Sequence, residues 1–358
     1  MISWEEDRAQ FANETVNQSF NYLEGWTDST GRLYARRDII TTDNLPGVFS
    51  NSQNIHKGDD THTCRFRVLS IPQPKHAPMA PVKLKIGTPK CTFYDIKENW
   101  HLHDLTLEAF MENNGVLMRF DSQQQQCLLT KVAISRAVGF DAVSISHLHS
   151  QNLTNVLYCN LWEKDQDEIF EKLLVNPERC LQPAYFAAVL YGSHYRRLEQ
   201  FRCRVDDEIT SIEGGTKFGG PGRLFGQRFW YEEREKEVNV ENTNKKLSYV
   251  QSELAVAQHL ARSVLLCGKW LVEVAEKDHV QWEKSQDVIV AKEVRGDLEV
   301  TMKDNTRKTA DEIIYVKRRA EAMGSQLQSL SDRVGSQTTF VSHELIPHDP
   351  FANAISSS

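Results

Sequence analysis

The chain has 358 residues, of which 40% are hydrophobic and 25% are charged, and its formal net charge at pH 7 is −7. This length gives room for about two domains with a substantial core, and the negative charge argues against a nucleic-acid partner, because phosphates require a basic surface. Seven cysteines are scattered singly, a pattern that argues against a zinc ribbon or a disulfide framework and indicates a reducing, cytoplasmic compartment.

No segment has the composition of a signal peptide or a membrane helix. The N-terminus is acidic and polar where a signal peptide has an apolar core. The longest charge-free apolar stretch lies near 181–193, whereas a bilayer span requires about 20 such residues. The sequence therefore predicts a protein without membrane insertion, and a membrane location only for a longer form.

The first 60 residues predict an amphipathic helix followed by a polar, partly disordered segment. Trp4, Phe11, Phe20 and Tyr22 indicate the helix, and Asn, Asp, Ser and Gly are abundant in the rest.

Residues 61–213 predict a mixed α/β domain. Polar and apolar residues alternate over 65–71, which is typical of a half-buried strand, and the prolines of 72–81 indicate an extended loop. Further strands are predicted at 82–86, 91–96, 116–120, 128–130 and 157–162. Helices are predicted at 105–113, at 130–138 with Thr130 as N-cap, at 165–174 and at 183–213. The four glutamines 123–126 are expected in a surface loop.

The C-terminal third predicts a long antiparallel helical hairpin, or coiled-coil stalk, over 242–335. Apolar residues recur there at 3-then-4 spacing, and a mean period of about 3.5 residues keeps one apolar edge in line. The two runs are Leu247, Val250, Leu254, Ala257, Ala261, Val264, Gly268, Leu271 and Ala275, and Ile313, Val316, Ala320, Met323, Leu327, Leu330 and Val334. The fold class is therefore α+β with a helical stalk.

The borders of the stalk follow from composition. A Gly-rich and charged connector is expected at 214–241, the turn between the two helices within 277–296, and a disordered tail at 336–358. Small residues at Ala257, Ala261 and Gly268 predict a close approach of helices there, rather than a kink.

Two histidine pairs are candidates for a metal site. They are His101-x-His103-Asp104 and His147-x-His149, and side chains two apart on a strand share a face. Because no further ligands follow at a known spacing, surface or partly buried histidines are the favoured interpretation. A metal-dependent enzyme using His101 and His103 remains an alternative, and no catalytic, cofactor-binding or metal-binding residue is assigned.

Other polar stretches have simpler interpretations. The glycines of 214–226 lack the spacing of a phosphate-binding loop, and a helix precedes them where a dinucleotide site has a strand. Asp206 and Asp207 are expected to face water. Residues 273–312 contain eleven acidic and seven basic side chains, which favours a solvated helix face over a weak magnesium site.

Three segments together resemble the cytoplasmic part of CorA-like magnesium transporters, in their divergent fungal branch. The first is Leu128-Leu129-Thr130-Lys131 with the short helix after it. The second is the helix opened by Pro183 and ending in DEITSIE at 207–213, and the third is VKRRAEAM at 316–323 with Leu327 and Leu330. The resemblance implies an N-terminal α/β domain that leads into long helices, the last of which continues into membrane helices marked by a GMN tripeptide.

The chain departs from that family after Val334, where neither an apolar span nor GMN follows. The resemblance therefore implies a non-catalytic, soluble relative without the pore, either a scaffold or regulatory protein or a truncated product, and no family site residue is carried over. The alternative is a helical-hairpin adaptor unrelated to ion transport. Either would bind a second copy or another protein through the stalk.

Overall fold

A computed structural model of the chain describes residues 10–12, 18–49, 62–72, 85–112, 114–132, 141–161, 163–216, 218, 239–286 and 296–343. Two compact units are distinguished: the first comprises Met1–Arg196 and Ser263–Arg319, and the second Arg197–Arg262 and Ala320–Ser358. Among the described residues, no helix combines the length and the apolar character needed to cross a bilayer.

The first unit is built around a mixed sheet of seven strands in the order β3-β2-β4-β9-β8-β7-β6. β4 and β9 are parallel, and all other neighbours in this sheet are antiparallel. The strands are β2 Ser19–Thr27, β3 Leu33–Thr41, β4 Thr63–Pro72, β6 Val116–Asp121, β7 Gln125–Lys131, β8 Ala142–Leu148 and β9 Leu153–Leu161. The short strands β1 (Gln10–Phe11) and β5 (Lys85–Ile86) form a separate parallel pair.

The helix predicted for the N-terminal segment is wrong, because β2 and β3 form there instead. Phe20 and Tyr22 are two residues apart in β2, so they lie on the same face of the sheet and enter the core together. Phe11 belongs to β1, and Trp4 lies outside the described residues. Residues 1–60, which the sequence predicts to lie outside the α/β domain, therefore contribute two strands to the central sheet.

Helices cover both faces of the sheet. On one face, α1 (Leu45–Phe49), α2 (Lys90–Asn99) and α3 (Thr106–Met111) bury a core with β2, β4 and β9. On the other face lie α4 (Glu163–Val175) and the part of α5 (Pro183–Thr216) that belongs to the first unit. There the Phe66 and Phe186 ring centroids are 6.1 Å apart, and the Tyr158 hydroxyl donates to the Phe186 carbonyl at 2.7 Å.

Several predicted elements are confirmed and others are corrected. β4, β6, β7 and β9 occur where strands are predicted, and α3, α4 and α5 where helices are predicted. The predicted strand 91–96 is wrong, because this segment is the helix α2, whose Phe93 and Ile96 are buried at helical spacing. Thr130 lies inside β7, so it caps no helix, and Gln126 is buried in the same strand. β8 was not predicted.

The chain continues into two long helices, α6 (Val240–Gln286) and α7 (Gly296–His343). The mixed α/β domain followed by long helices, as predicted, is thus observed. The nine residues between α6 and α7, 287–295, lie within 277–296, the range predicted for the turn. All members of the two apolar runs are buried except Val316, which is half-buried. The prediction of a disordered tail is wrong for 336–343, where α7 continues and buries Gln337 and Val341. Most of the predicted connector lies outside the described residues.

Gly268 confirms the predicted close approach of helices. A methyl group added at this glycine would overlap the hydroxyl of Tyr191 on α5 and would lie 3.2 Å from Cβ of Lys317 on α7. Three helices therefore meet at one residue within the first unit. Only glycine leaves space for this packing.

Candidate functional site

Two arginines connect the long helices to the sheet and its flanking turns within the first unit. Arg119 on β6 pairs with Asp278 on α6, and Arg179, in the 3₁₀ turn Pro177–Leu181, pairs with Glu312 on α7. We call Arg119 and Arg179 the helix-anchoring arginines. Only 8% of either arginine side chain is exposed, so both guanidinium groups depend on protein partners rather than on water.

Arg119 reaches Asp278 because β6 and β7 place their polar side chains on the face that α6 covers. The Nη1 atom of Arg119 is 2.8 Å from Oδ1 of Asp278, and Gln126 donates to the same oxygen at 2.7 Å. Nε of Arg119 also donates to Asp121 at 2.8 Å. Burial raises the pKa of Asp278, and the charge of Arg119 acts in the opposite direction. The ion pair therefore holds a carboxylate in a site that water hardly reaches.

Arg179 makes a two-pronged contact with Glu312. Its Nη1 and Nη2 atoms donate to the two carboxylate oxygens at 2.7 and 2.9 Å, the geometry in which an arginine binds a carboxylate most strongly. Nη2 also donates to the hydroxyl of Thr309 at 3.1 Å, and the guanidinium lies 4.2 Å from the centroid of the Tyr185 ring. One arginine thus fixes α7 against the start of α5.

We expect Arg179→Met to destabilise the fold by about 1–3 kcal/mol, because the buried hydroxyl of Thr309 and the carboxylate of Glu312 lose their donors. Urea unfolding of the full chain measures the change. Arg307→Met, at an exposed position of the same helix, is the matched control and should change stability by less than about 0.5 kcal/mol. Equal effects of the two substitutions would show that the contact contributes nothing.

The residues of the first predicted histidine pair make contacts with different partners. His101 follows α2 in the left-handed region at φ 52°, and its carbonyl accepts from Gln125 at 2.5 Å. The His103 ring stacks on Phe120 with centroids 3.6 Å apart, and burial lowers its pKa. Asp104 pairs with Lys97 at 3.1 Å. Within the described ranges, no three His, Cys, Asp or Glu side chains are arranged to hold a metal ion.

The second pair, His147 and His149, does come together at the end of β8. Their ring centroids are 5.3 Å apart, and Nδ1 of His147 lies 2.9 Å from the hydroxyl of Thr154 on β9. Burial lowers the pKa of His147 to about 4, and His149 acts in the same direction. His147 is thus half-buried and hydrogen-bonded, whereas His149 is exposed.

Asp206 does not face water as predicted. Its side chain is 1% exposed in the second unit, where Arg333 on α7 donates to it at 2.7 Å and to Glu213 at 2.8 Å. Asp207, by contrast, is exposed. In the acidic stretch 273–312, two of the described carboxylates, Asp278 and Glu312, likewise bind arginines. Sequence reasoning missed these pairs because the two partners are far apart in the chain.

No protein-family model and no curated protein matches the chain. Among solved structures, it is similar to the soluble domain of CorA from Methanocaldococcus jannaschii, with 10% identity, coverage of 88% of this chain and 97% of that chain, and a TM-score of 0.45. It is also similar to the cytoplasmic domain of ZntB from Vibrio parahaemolyticus, with 8% identity, coverage of 89% and 98%, and a TM-score of 0.42. For the full-length CmaX protein, the identity is 8%, the coverage 91% and 81%, and the TM-score 0.36.

Soluble domains of CorA and ZntB are thus among the solved structures that resemble the chain, and the sequence led us to expect the resemblance to CorA. The function is therefore inferred from the contacts of the chain itself.

Proposed function

We propose that the chain is a non-catalytic, cytoplasmic, CorA-like protein that acts as a scaffold or regulatory relative and assembles through its long helices. The helix-anchoring arginines carry this proposal. They hold α6 against β6 and α7 against the 3₁₀ turn Pro177–Leu181 through ion pairs whose guanidinium groups are buried. A scaffold requires such fixed placement of its interaction helices.

Exposed apolar side chains on the same two helices support assembly. Leu266 on α6 is 59% exposed and Tyr315 on α7 is 61% exposed, both within the first unit. The Arg319 guanidinium lies 5.8 Å from the Tyr315 ring centroid. Tyrosine and arginine are enriched at the residues that dominate binding energy in protein interfaces, so these positions are suited to contact another chain.

Light scattering of the purified chain tests the proposal. We expect a mass that is a multiple of 41.1 kDa, with an equilibrium that shifts when millimolar magnesium is added. The double variant Leu266→Glu/Tyr315→Glu should reduce the mass to that of the monomer, because a charge placed in a packed contact is desolvated. Val175→Glu, at a 77% exposed position of α4, is the control and should leave the mass unchanged.

A strict monomer that is indifferent to magnesium would contradict self-assembly. It would favour the second candidate, a helical-hairpin adaptor that binds a different protein through Tyr315 and Arg319. In that case, immobilised wild-type chain should retain a partner that the Tyr315→Glu variant does not retain.

A further inference from the structure

A fully buried histidine in the first unit faces two carboxylates from other elements. His194 on α5 is 0% exposed, as is Asp141, the residue before β8, and Asp165 in the first turn of α4 is 7% exposed. Nδ1 of His194 lies 3.7 Å from Oδ2 of Asp141. Neither ring nitrogen of His194 has a hydrogen-bond partner within the described part of the chain.

Protonation of His194 would place a positive charge in this buried site. A separation of 3.7 Å is beyond hydrogen-bonding distance, so the contact does little for the neutral ring. Burial lowers the pKa of His194 to about 4, and the charge of Asp165 acts in the opposite direction. The other charged groups that act on Asp165 are Glu168 and Arg196, which pair with each other, and Lys164.

We propose that His194 is a proton-sensitive contact that releases α5 from α4 and from the start of β8 when the solution becomes mildly acidic. The inference rests on the burial of three titratable side chains, His194, Asp141 and Asp165, that come from different parts of the first unit. It is independent of the function proposed above. Because α5 and α7 meet through the contacts of Arg179, loosening α5 would also loosen the attachment of α7.

The sign of the effect follows from the direction of each pKa shift. A histidine whose pKa is lower in the folded chain than its ordinary value of about 6.5 destabilises the fold as the pH falls between the two values. The fraction of opened chain should rise on the order of a hundredfold between pH 7 and pH 4. Burial raises the pKa of Asp165, so protonation of that carboxyl in the folded chain opposes part of the loss as the pH falls.

Urea unfolding of the full chain from pH 7.5 to pH 4.5 tests the inference. Wild type should lose stability across this range. The side chain of His194→Gln is neutral throughout, so this variant should lack the rise in opened chain, on the order of a hundredfold, that is due to His194. His147→Gln is the matched control, because burial also lowers the pKa of His147. His147→Gln should still show the loss of stability at acidic pH that protonation of His194 causes. A profile of His194→Gln that is parallel to that of wild type would overturn the inference.

Two further measurements keep the inference falsifiable if His194→Gln fails to fold. An NMR titration of the wild-type imidazole should give a pKa well below 6.5, and an ordinary value would refute the inference. Amide exchange, corrected for the intrinsic pH dependence, should accelerate at pH 5 in 185–196 before it accelerates in β8 and β9. Equal acceleration throughout the sheet would mean global unfolding and would likewise refute a local release.

Discussion

Arg119→Met should be the most damaging single substitution among the ion pairs, with a loss of about 3–5 kcal/mol in the free energy of unfolding. Removing one partner of a buried pair leaves the other charge without compensation, and the Asp278 side chain is only 17% exposed. Burial already raises the pKa of Asp278 while the arginine is present. Without the arginine, the carboxyl should take up a proton at still higher pH.

The pH dependence gives this prediction a second readout. The cost of an ionised, buried carboxylate is present above its folded pKa and is relieved as the pH falls through that value. The deficit of Arg119→Met should therefore be smaller at pH 5 than at pH 7.5 in urea unfolding. Adding Asp278→Asn should restore part of the stability at pH 7.5.

Arg36→Met provides the surface control for the same change of residue type. Arg36 pairs with Asp38 at 3.1 Å, but its side chain is 48% exposed, and pairs of this kind contribute about 0–1 kcal/mol. If Arg119→Met proved no more destabilising than this control, Asp278 would have to be solvated. The anchoring role of the contact would then be refuted.

Gly268→Ala should destabilise the protein by about 1–3 kcal/mol, although alanine is the better helix former, because overpacking a well-packed site forces side chains and backbone to shift. The added methyl group would overlap the hydroxyl of Tyr191, whose side chain is 1% exposed and has little freedom to move. Thermal or urea unfolding of the full chain gives the size of the loss.

Gly324→Ala is the matched control, since it makes the same change inside a long helix where nothing lies within 4 Å of the new atom. We expect this variant to be more stable than wild type by about 0.5–1 kcal/mol, through helix propensity and the smaller entropy of the unfolded chain. If both substitutions were stabilising, the close approach at Gly268 would be incorrect. If both were destabilising, the effect would be unrelated to packing.

The elements that the sequence predicts correctly are those whose signal is local. β4 follows from the alternation of 65–71, and the buried edges of α6 and α7 follow from the 3-then-4 spacing of their apolar residues. The errors occur where propensity and tertiary context disagree. Thr92, Phe93 and Tyr94 favour strands, yet Phe93, Ile96 and Trp100 are buried at the spacing of a helix. In β2, the two-residue spacing of Phe20 and Tyr22 is the local signal that indicates a strand.

The candidate site could not be predicted in the same way. More than 150 residues separate Arg119 from Asp278, and about 130 separate Arg179 from Glu312. A single arginine or carboxylate carries no sequence signal for its partner, because pairing is decided only when the helices pack on the sheet. The histidine pairs do have a local pattern, but their side chains differ in environment, because His103 and His147 are half-buried and His101 and His149 are exposed.

The parallel pairing of β4 with β9 has a consequence for how the chain reaches its native state. On one side of it, β2, β3 and β4 are connected antiparallel neighbours, and on the other side β6 to β9 form a meander, so each half of the sheet can form from contacts near in sequence. The register pairs Phe66 with Thr154, and joining these strands closes a loop of nearly ninety residues, with a correspondingly larger entropic barrier. We therefore expect the pairing of β4 with β9, which joins two preformed half-sheets, to be the slow, rate-limiting step of folding.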